Sequence, residues 1–289
     1  MINIIFDMET SDPDDVFTLC LLSHHPQVNL LGVTVTPGSR HQIGLVKHIL
    51  KLLNKDIKVG AKNINHPKEC VSEFHYSWLG KIPPAEADGN GPDVLWESAY
   101  GHHPYKIVCG ASLGNLYAYS QRYVLIPEAV IQGGFAGDNI VPPELVLPKF
   151  KGKITCPTFN LNGDVPAALG VLSSQKILKR TFVSKNVCHG VVYDQAMHEY
   201  MLPYKNNNPG LNLMVQGMEH YLKKHPSGKA FHDPLAACVA IDPSICQFEE
   251  VELYRHKGEW GSKKSDNPNA IISISVDMDK FKKIMVGEQ

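Results

Sequence analysis

Short unbroken apolar runs alternate along the chain with stretches whose apolar residues recur every three or four positions, and that alternation sets the expected architecture. Ile4-Ile5-Phe6 reads as a buried strand, and Val16 to Leu22 as the apolar body of the helix after it. Leu30 to Val35 reads as a second strand and Ile57 to Gly60 as a third. Between them Ile43, Val46, Ile49, Leu50 and Leu53 mark a helix. A β-α-β-α-β order calls for a parallel sheet with right-handed crossovers.

Residues 62–103 break this rhythm. They are rich in Pro, Gly, His and aromatic residues and are predicted as one long loop, a feature that in compact domains is commonly functional. Alternation returns with strands at 106–110, 129–131 and 180–183. Helices are expected from Leu113 to Tyr123, Val165 to Leu172, Leu211 to Lys224 and from Phe231 through Ile241. Glu250 to Arg255 and Ile271 to Val276 read as a terminal strand pair joined by a polar loop. No repeat, low-complexity tract or linker divides the sequence. The expectation is one α/β domain over residues 1–289, an open, mostly parallel sheet flanked by helices with a small C-terminal strand pair.

Composition narrows the function classes. A net charge of −1 leaves no electrostatic footprint for nucleic acid. No apolar run approaches the ~20 residues of a membrane-spanning helix. No basic-then-apolar leader precedes the first strand, so the chain reads as soluble and cytoplasmic. Seven scattered cysteines without a CxxC pair argue against a disulfide scaffold or a zinc knuckle. Cys20 and Cys238 lie in apolar helical patterns and are expected in the core, whereas His24-His25 and His102-His103 are expected at the surface.

The chemistry concentrates where the first strand meets the first helix. Asp7 and Glu9 fall at the end of the strand, and Asp12-Pro13-Asp14-Asp15 opens the helix. Asp12 suits the N-cap, Pro13 the first helical position, and Asp14 the helix dipole. Capping does not account for Asp7, Glu9 and Asp15 arriving in the same turn. Five like charges this close require protonation or a cation, and an all-oxygen donor set suits Ca²⁺, or less well Mg²⁺. His232-Asp233-Pro234 repeats the pattern near the other end of the chain. Asp233 is a helix cap or a distant ligand of the same ion, and His232 is a candidate proton donor.

The order of these motifs resembles the inosine-uridine-type nucleoside hydrolase family. The resemblance rests on the acidic cluster, Ser112-Leu113-Gly114-Asn115-Leu116, Gln132-Gly133-Gly134, Phe159-Asn160-Leu161-Asn162-Gly163-Asp164 and His232-Asp233-Pro234-Leu235-Ala236, and it covers nearly the whole chain. It implies calcium-dependent hydrolysis of the N-glycosidic bond of a nucleoside or related ribosyl compound. It also implies a dimer or tetramer. Carried over, Asp15, Glu9, Asp233 and the Gly114 carbonyl hold the metal, Glu9, Asp7 and His232 are catalytic, and Asn160, Thr158, Asp14 and Ser39 contact substrate.

Three departures stand out against the family pattern. The usual Asp-x-Asp-Pro-Gly-x-Asp-Asp is here one residue longer, with Glu9 for the second Asp. Thr158 replaces a Glu, removing a like-charge obstacle to a 5′-phosphate or 5′-extended substrate. Thr36-Pro37-Gly38-Ser39 replaces an Asn-bearing turn, and Ser39 reads either as an anion contact beside Arg40 or as a plain helix cap. Two other readings stay open. One is a non-catalytic nucleoside- or sugar-binding protein of the same fold. The other is a haloacid-dehalogenase-type phosphotransferase, because Asp7-Met8-Glu9-Thr10 resembles that family's Asp-x-Asp-x-Thr.

Overall fold

Strand β1 (Ile2–Met8) carries the first apolar run and sits inside the main sheet, paired in parallel with a strand on each side. A computed structural model describes residues 1–122 and 124–288. In chain order the next strands are β2 (Val28–Val35), β3 (Val59–Ala61), β4 (Gly89–Asn90), β5 (Tyr105–Cys109), β6 (Glu128–Gln132) and β7 (Thr155–Cys156). They are followed by β8 (Arg180–Val183), β9 (Val192–Tyr193), β10 (Lys229–Ala230), β11 (Cys246–His256), β12 (Glu259–Lys263) and β13 (Ala270–Val276). The main sheet runs β4-β3-β2-β1-β5-β6-β8-β13-β11-β12-β7, and β9 pairs with β10 in a separate ribbon. From β4 to β13 every pairing is parallel. From β13 to β7 every pairing is antiparallel.

The helices are α1 (Pro13–His24), α2 (Arg40–Leu52), α3 (Glu73–Leu79), α4 (Gly91–Ala99), α5 (Gly114–Ser120) and α6 (Phe159–Gly163). The remainder are α7 (Val165–Ser173), α8 (Lys185–Cys188), α9 (Gln195–Met201), α10 (Pro209–Leu222), α11 (His232–Ile241) and α12 (Met278–Val286). None of these described helices is long and apolar enough to cross a membrane.

The core lies in two layers, one on each face of the sheet. Successive side chains of a strand point to opposite faces, so Ile4, Phe6 and Met8 join one layer and Ile5 the other. Burial on both faces is why β1 reads as a continuous apolar run rather than an alternating one. Helix α1 is buried from Pro13 to Ser23 because α10 and α11 pack on it from outside. Its sequence accordingly lacks a polar face over that span, apart from the acids of its first turn and a few small hydroxyls.

The expected parallel sheet is present, and the terminal pair is part of it. β11 and β13 pair as expected, β13 also joins β8, and the loop region supplies β12 as a hairpin partner of β11. The expected long loop at 62–103 contains α3, β4 and α4. Its most turn-like segment is the start of a helix: the Asn90 side chain accepts the Asp93 amide, and Pro92 lies in the first turn. The helix expected to end at Tyr123 runs from Gly114 to Ser120, and Tyr123 itself lies outside the described residues. Cys20 and Cys238 are core residues as expected. His25 is buried rather than exposed, its Nε2 lying 2.9 Å from the Ile284 carbonyl.

Candidate functional site

The carboxyl ends of β1, β5 and β6 lead directly into Glu9, Gly110 and Gln132-Gly133. Helices α1 and α11 begin at the same edge. A cavity of about 410 Å³ lies among them, within the range of small-ligand sites. Glu9, Asp12, Asp14 and Asp233 are among the residues that line it.

Asp14 ties the two ends of the chain together. Its Oδ2 accepts the backbone amides of His232 at 3.0 Å and Asp233 at 3.3 Å. Helix α11 has no side-chain cap of its own, because Phe231 stands at its N-cap position. The carboxylate of α1 therefore satisfies amides that a helix start leaves unpaired. Asp14, Asp15 and Asp233 each offer one oxygen, and those atoms lie within 4.8 Å of one another. All three residues are buried.

Burial drives the protonation of this group. It pushes the Asp15 and Asp233 carboxyls well up, and neighbouring carboxylates push them further. Asp14 goes the other way. Burial raises it, but Lys229, His232 and the Asp233 amide together outweigh burial and hold it below the usual range. Glu9 is raised by burial and by the charges of Asp12 and Asp14, while Ser11 donates a hydrogen bond to its carboxylate.

The residues fit a hard cation. Asp233 Oδ1 is buried without a hydrogen-bond partner, and the donor set is entirely oxygen. Gly110 provides the room: a Cβ there would stand 2.5 Å from Asp15 Oδ1 and 2.8 Å from Asp233 Oδ1.

Gly114, Asp7 and Ser39 stand outside the cavity lining. Gly114 opens α5, and a Cβ there would meet the side chain of Lys62, whose ammonium pairs with Asp164, whereas a Cβ at Gly110 would meet the acids. Asp7 is fully buried, its Oδ1 accepts from Thr34 at 2.7 Å and Asn115 at 2.9 Å, and it does not line the cavity. Burial pushes its carboxyl up to about 6 despite those bonds. It organises the strand end rather than meeting substrate, and a buried Asp7 also deprives the phosphotransferase reading of its nucleophile. Ser39 closes a capping box with Gln42 on α2 and lies outside the cavity lining, so its role is the cap. Asp14, read from sequence as a substrate contact, belongs to the three-carboxylate group.

Asn160, Thr158 and His232 line the cavity. Asn160 Nδ2 donates to the Gly110 carbonyl and to Gln132 Oε1, which fixes its orientation. The Thr158 hydroxyl is buried without a partner. His232 packs against His189 in a tilted contact with ring centroids 4.6 Å apart, and its Nε2 has no partner. Burial lowers its imidazole; Asp14 pulls back, Lys229, Lys149 and Lys185 add to the depression, and the net value is about 4. His232 is thus a neutral imidazole near pH 7, against the expectation of a proton poised near neutrality.

Sequence reasoning missed Lys229, whose side chain is 7% exposed. Its ammonium stands 3.0 Å from Asp12 Oδ1 and 3.2 Å from Asp14 Oδ1. Burial disfavours its charge, but Asp14 and Asp12 outweigh burial and raise its pKa. The signal was a lysine three residues before His232, in a ribbon too short to read from periodicity. His189 and Lys185 were missed with α8, a helix of 4 residues.

The chain matches the family described as inosine-uridine preferring nucleoside hydrolase over residues 4–283. An uncharacterized protein of Aquifex aeolicus is 28% identical over 271 residues, 90% of each chain. Among solved structures, a purine-preferring ribonucleoside hydrolase from Gardnerella vaginalis aligns with TM-score 0.71 and 17% identity, over 99% of this chain and 98% of that one. A plant nucleoside hydrolase aligns with TM-score 0.73 and 16% identity, over 98% and 97%. The inosine-uridine preferring nucleoside hydrolase from Bacillus anthracis gives 0.71 and 16%, over 99% and 98%. The family match spans nearly the whole chain, and the chain belongs to the inosine-uridine preferring nucleoside hydrolase family, whose members are N-glycosyl hydrolases.

Proposed function

We propose that this protein hydrolyses the N-glycosidic bond of a nucleoside or related ribosyl compound with one calcium ion held by Asp14, Asp15 and Asp233, Glu9 lying beside them. The observation that carries the reading is the meeting of acids from the two ends of the chain within 4.8 Å, at a cavity of small-ligand size. When bound, the cation supplies positive charge that attracts a vicinal diol and acidifies a water molecule.

The chain's own groups do the rest. Glu9 faces the cavity with a carboxyl raised by burial, which suits it to take a proton from water. The water oxygen bonds to the anomeric carbon as the carbon–nitrogen bond breaks, through an oxocarbenium-like state that the surrounding carboxylates stabilise. Asn160, locked by Gly110 and Gln132, holds the sugar edge. His232, neutral near pH 7, can donate a hydrogen bond to the departing base, and the proton with which the free base leaves balances the one that Glu9 takes from water. The remaining product is the free sugar.

Chromatographic detection of free base from a nucleoside panel tests this directly. Base release should stop on chelation, return with Ca²⁺ and fail in Asp15→Asn. Undiminished turnover in Asp15→Asn defeats the proposal. Tight nucleoside binding with no turnover across the panel favours the binding-protein reading instead. The homo-oligomer implied by the family is checked by light scattering on the eluted protein.

A further inference from the structure

Besides the acids, the cavity wall carries the basic and uncharged polar groups Thr158, Lys185, His189 and His232, the last adjoining Asp14 through its backbone amide. Lys185 Nζ donates to the Pro157 carbonyl at 2.8 Å, which anchors its ammonium beside the next residue, Thr158. Thr158 is 3% exposed, yet its hydroxyl has no partner, and neither does His232 Nε2. Lys149 Nζ lies 2.5 Å from His189 Nδ1, so a second ammonium stands directly behind this wall. The unpaired Thr158 hydroxyl and the Lys185 ammonium line the same cavity, with the Lys149 charge behind them, and burying a polar group without a partner is costly unless a ligand supplies one. Cys188, His189 and His232 also approach within 4.8 Å, as a soft metal would need, but Lys149 and Lys185 repel a second dication there.

A ribose held by its 2′,3′-diol at the acids turns C1′ and C4′ away from them. Whatever reaches the basic groups is therefore the leaving base or the C5′ substituent. A neutral base gains little from two ammonium groups, whereas a phosphate monoester presents a dianion with several acceptor oxygens. We infer that this wall is a phosphate subsite, Lys185 and the Thr158 hydroxyl being its direct contacts, and that the preferred substrate is a nucleoside 5′-monophosphate. The assignment takes its sugar orientation from the proposed function, while its binding does not require turnover.

Two measurements separate it from that function. Calorimetric titration with ribose 5-phosphate and with ribose, in Ca²⁺, should show the phosphorylated sugar binding at least about tenfold tighter. Lys185→Ala should remove that margin and Lys185→Arg retain it, since one charge-assisted hydrogen bond carries about 10- to 100-fold. In parallel, the ratio of kcat/KM for uridine 5′-monophosphate to that for uridine should exceed ten and fall toward one in Lys185→Ala. Equal binding of the two sugars overturns the subsite, as does a margin that survives Lys185→Ala. A preference for a carboxylated base with none for the 5′-phosphate overturns it too, placing the anion on the leaving group. Lys185-dependent binding of ribose 5-phosphate without any base release upholds the subsite and defeats the hydrolase reading.

Discussion

The Asp14 carboxylate accepts the backbone amide of Asp233 at 3.3 Å, so a side chain in the first turn of α1 caps a helix 218 residues further on. The cap aligns the two helix starts so that the Asp14, Asp15 and Asp233 oxygens converge. Replacing Asp14 by Ala removes the cap and takes from the buried Lys229 ammonium its buried carboxylate partner, leaving it the more exposed Asp12. Breaking a buried pair by deleting one partner typically costs about 3–5 kcal/mol. We expect Asp14→Ala to lose about that much in urea unfolding, and Asp14→Asn, which keeps an acceptor for the amides, to lose distinctly less.

Calcium should act as a structural ligand as well as a functional one. An ion that binds only the folded chain adds about 2.7 kcal/mol at one hundred times its dissociation constant. Scanning calorimetry should show the melting temperature rising with Ca²⁺ and falling on chelation. In Asp233→Asn the Ca²⁺-dependent rise should be largely absent. A full rise in that variant would remove Asp233 from the ligand set.

How much of this was legible beforehand follows from the physics of each element. The parallel sheet was legible because strands buried on both faces are unbroken apolar runs, as Ile4 to Phe6 are. The acids were legible because Asp7, Glu9 and Asp15 exceed what one helix cap requires. Lys229 was not, since its significance depends on a two-residue ribbon folding back onto Asp12 and Asp14. The partition of labour between Asp7 and Glu9 was hidden as well: two residues apart, they would share a face of a continuing strand, but the strand stops at Met8, Thr34 and Asn115 hold Asp7 in the interior, and Glu9 lines the cavity. The capping box at Ser39 was readable in Ser39 and Gln42, and the structure favours that plain reading over an anion contact.

Lys229 places a covalently tethered positive charge where an ion is also wanted. Its ammonium neutralises Asp12 and Asp14, and it repels any dication drawn to the same carboxylates. Lys229→Met keeps the length and removes the charge. Calorimetric titration should then give Ca²⁺ binding about tenfold tighter, a difference of about 1.4 kcal/mol. The calcium-free variant should be less stable than the calcium-free parent, because Asp14 loses its partner. Unchanged Ca²⁺ affinity would mean that the ammonium and the ion do not compete.

Asp7 carries a pH dependence whose sign is set by burial. Its carboxyl lies at about 6 in the folded chain against 3.8 when unperturbed, so folding takes up a proton between those values. The penalty is fully present above pH 6, is relieved as pH falls through 6, and is gone below about 4. A shift of that size corresponds to about 3 kcal/mol. Asp7→Asn keeps the oxygen that accepts from Thr34 and Asn115 while removing the charge. Without calcium, Asp7→Asn should be more stable than the parent at pH 7.5 by up to that amount, and the advantage should vanish near pH 4. An advantage that persists unchanged at pH 4 would show that the substitution acts through packing rather than charge.

His232 separates the two halves of bond cleavage. His232 lines the cavity, its imidazole is held neutral near pH 7 and its Nε2 has no partner, so in the proposed reaction its contribution is a hydrogen bond to the leaving base. A base that departs as a poor anion needs that hydrogen bond; a nitrophenolate does not. His232→Ala should therefore lower kcat on a purine or pyrimidine nucleoside by about tenfold, the worth of one such hydrogen bond. The same variant should cleave a nitrophenyl riboside nearly as fast as the parent. In the parent, the alkaline side of the rate profile should show no fall near pH 6.5, because no imidazolium is being lost there. Equal losses on both substrates would instead assign His232 to holding the sugar, and its packing against His189 at 4.6 Å would then be its main task.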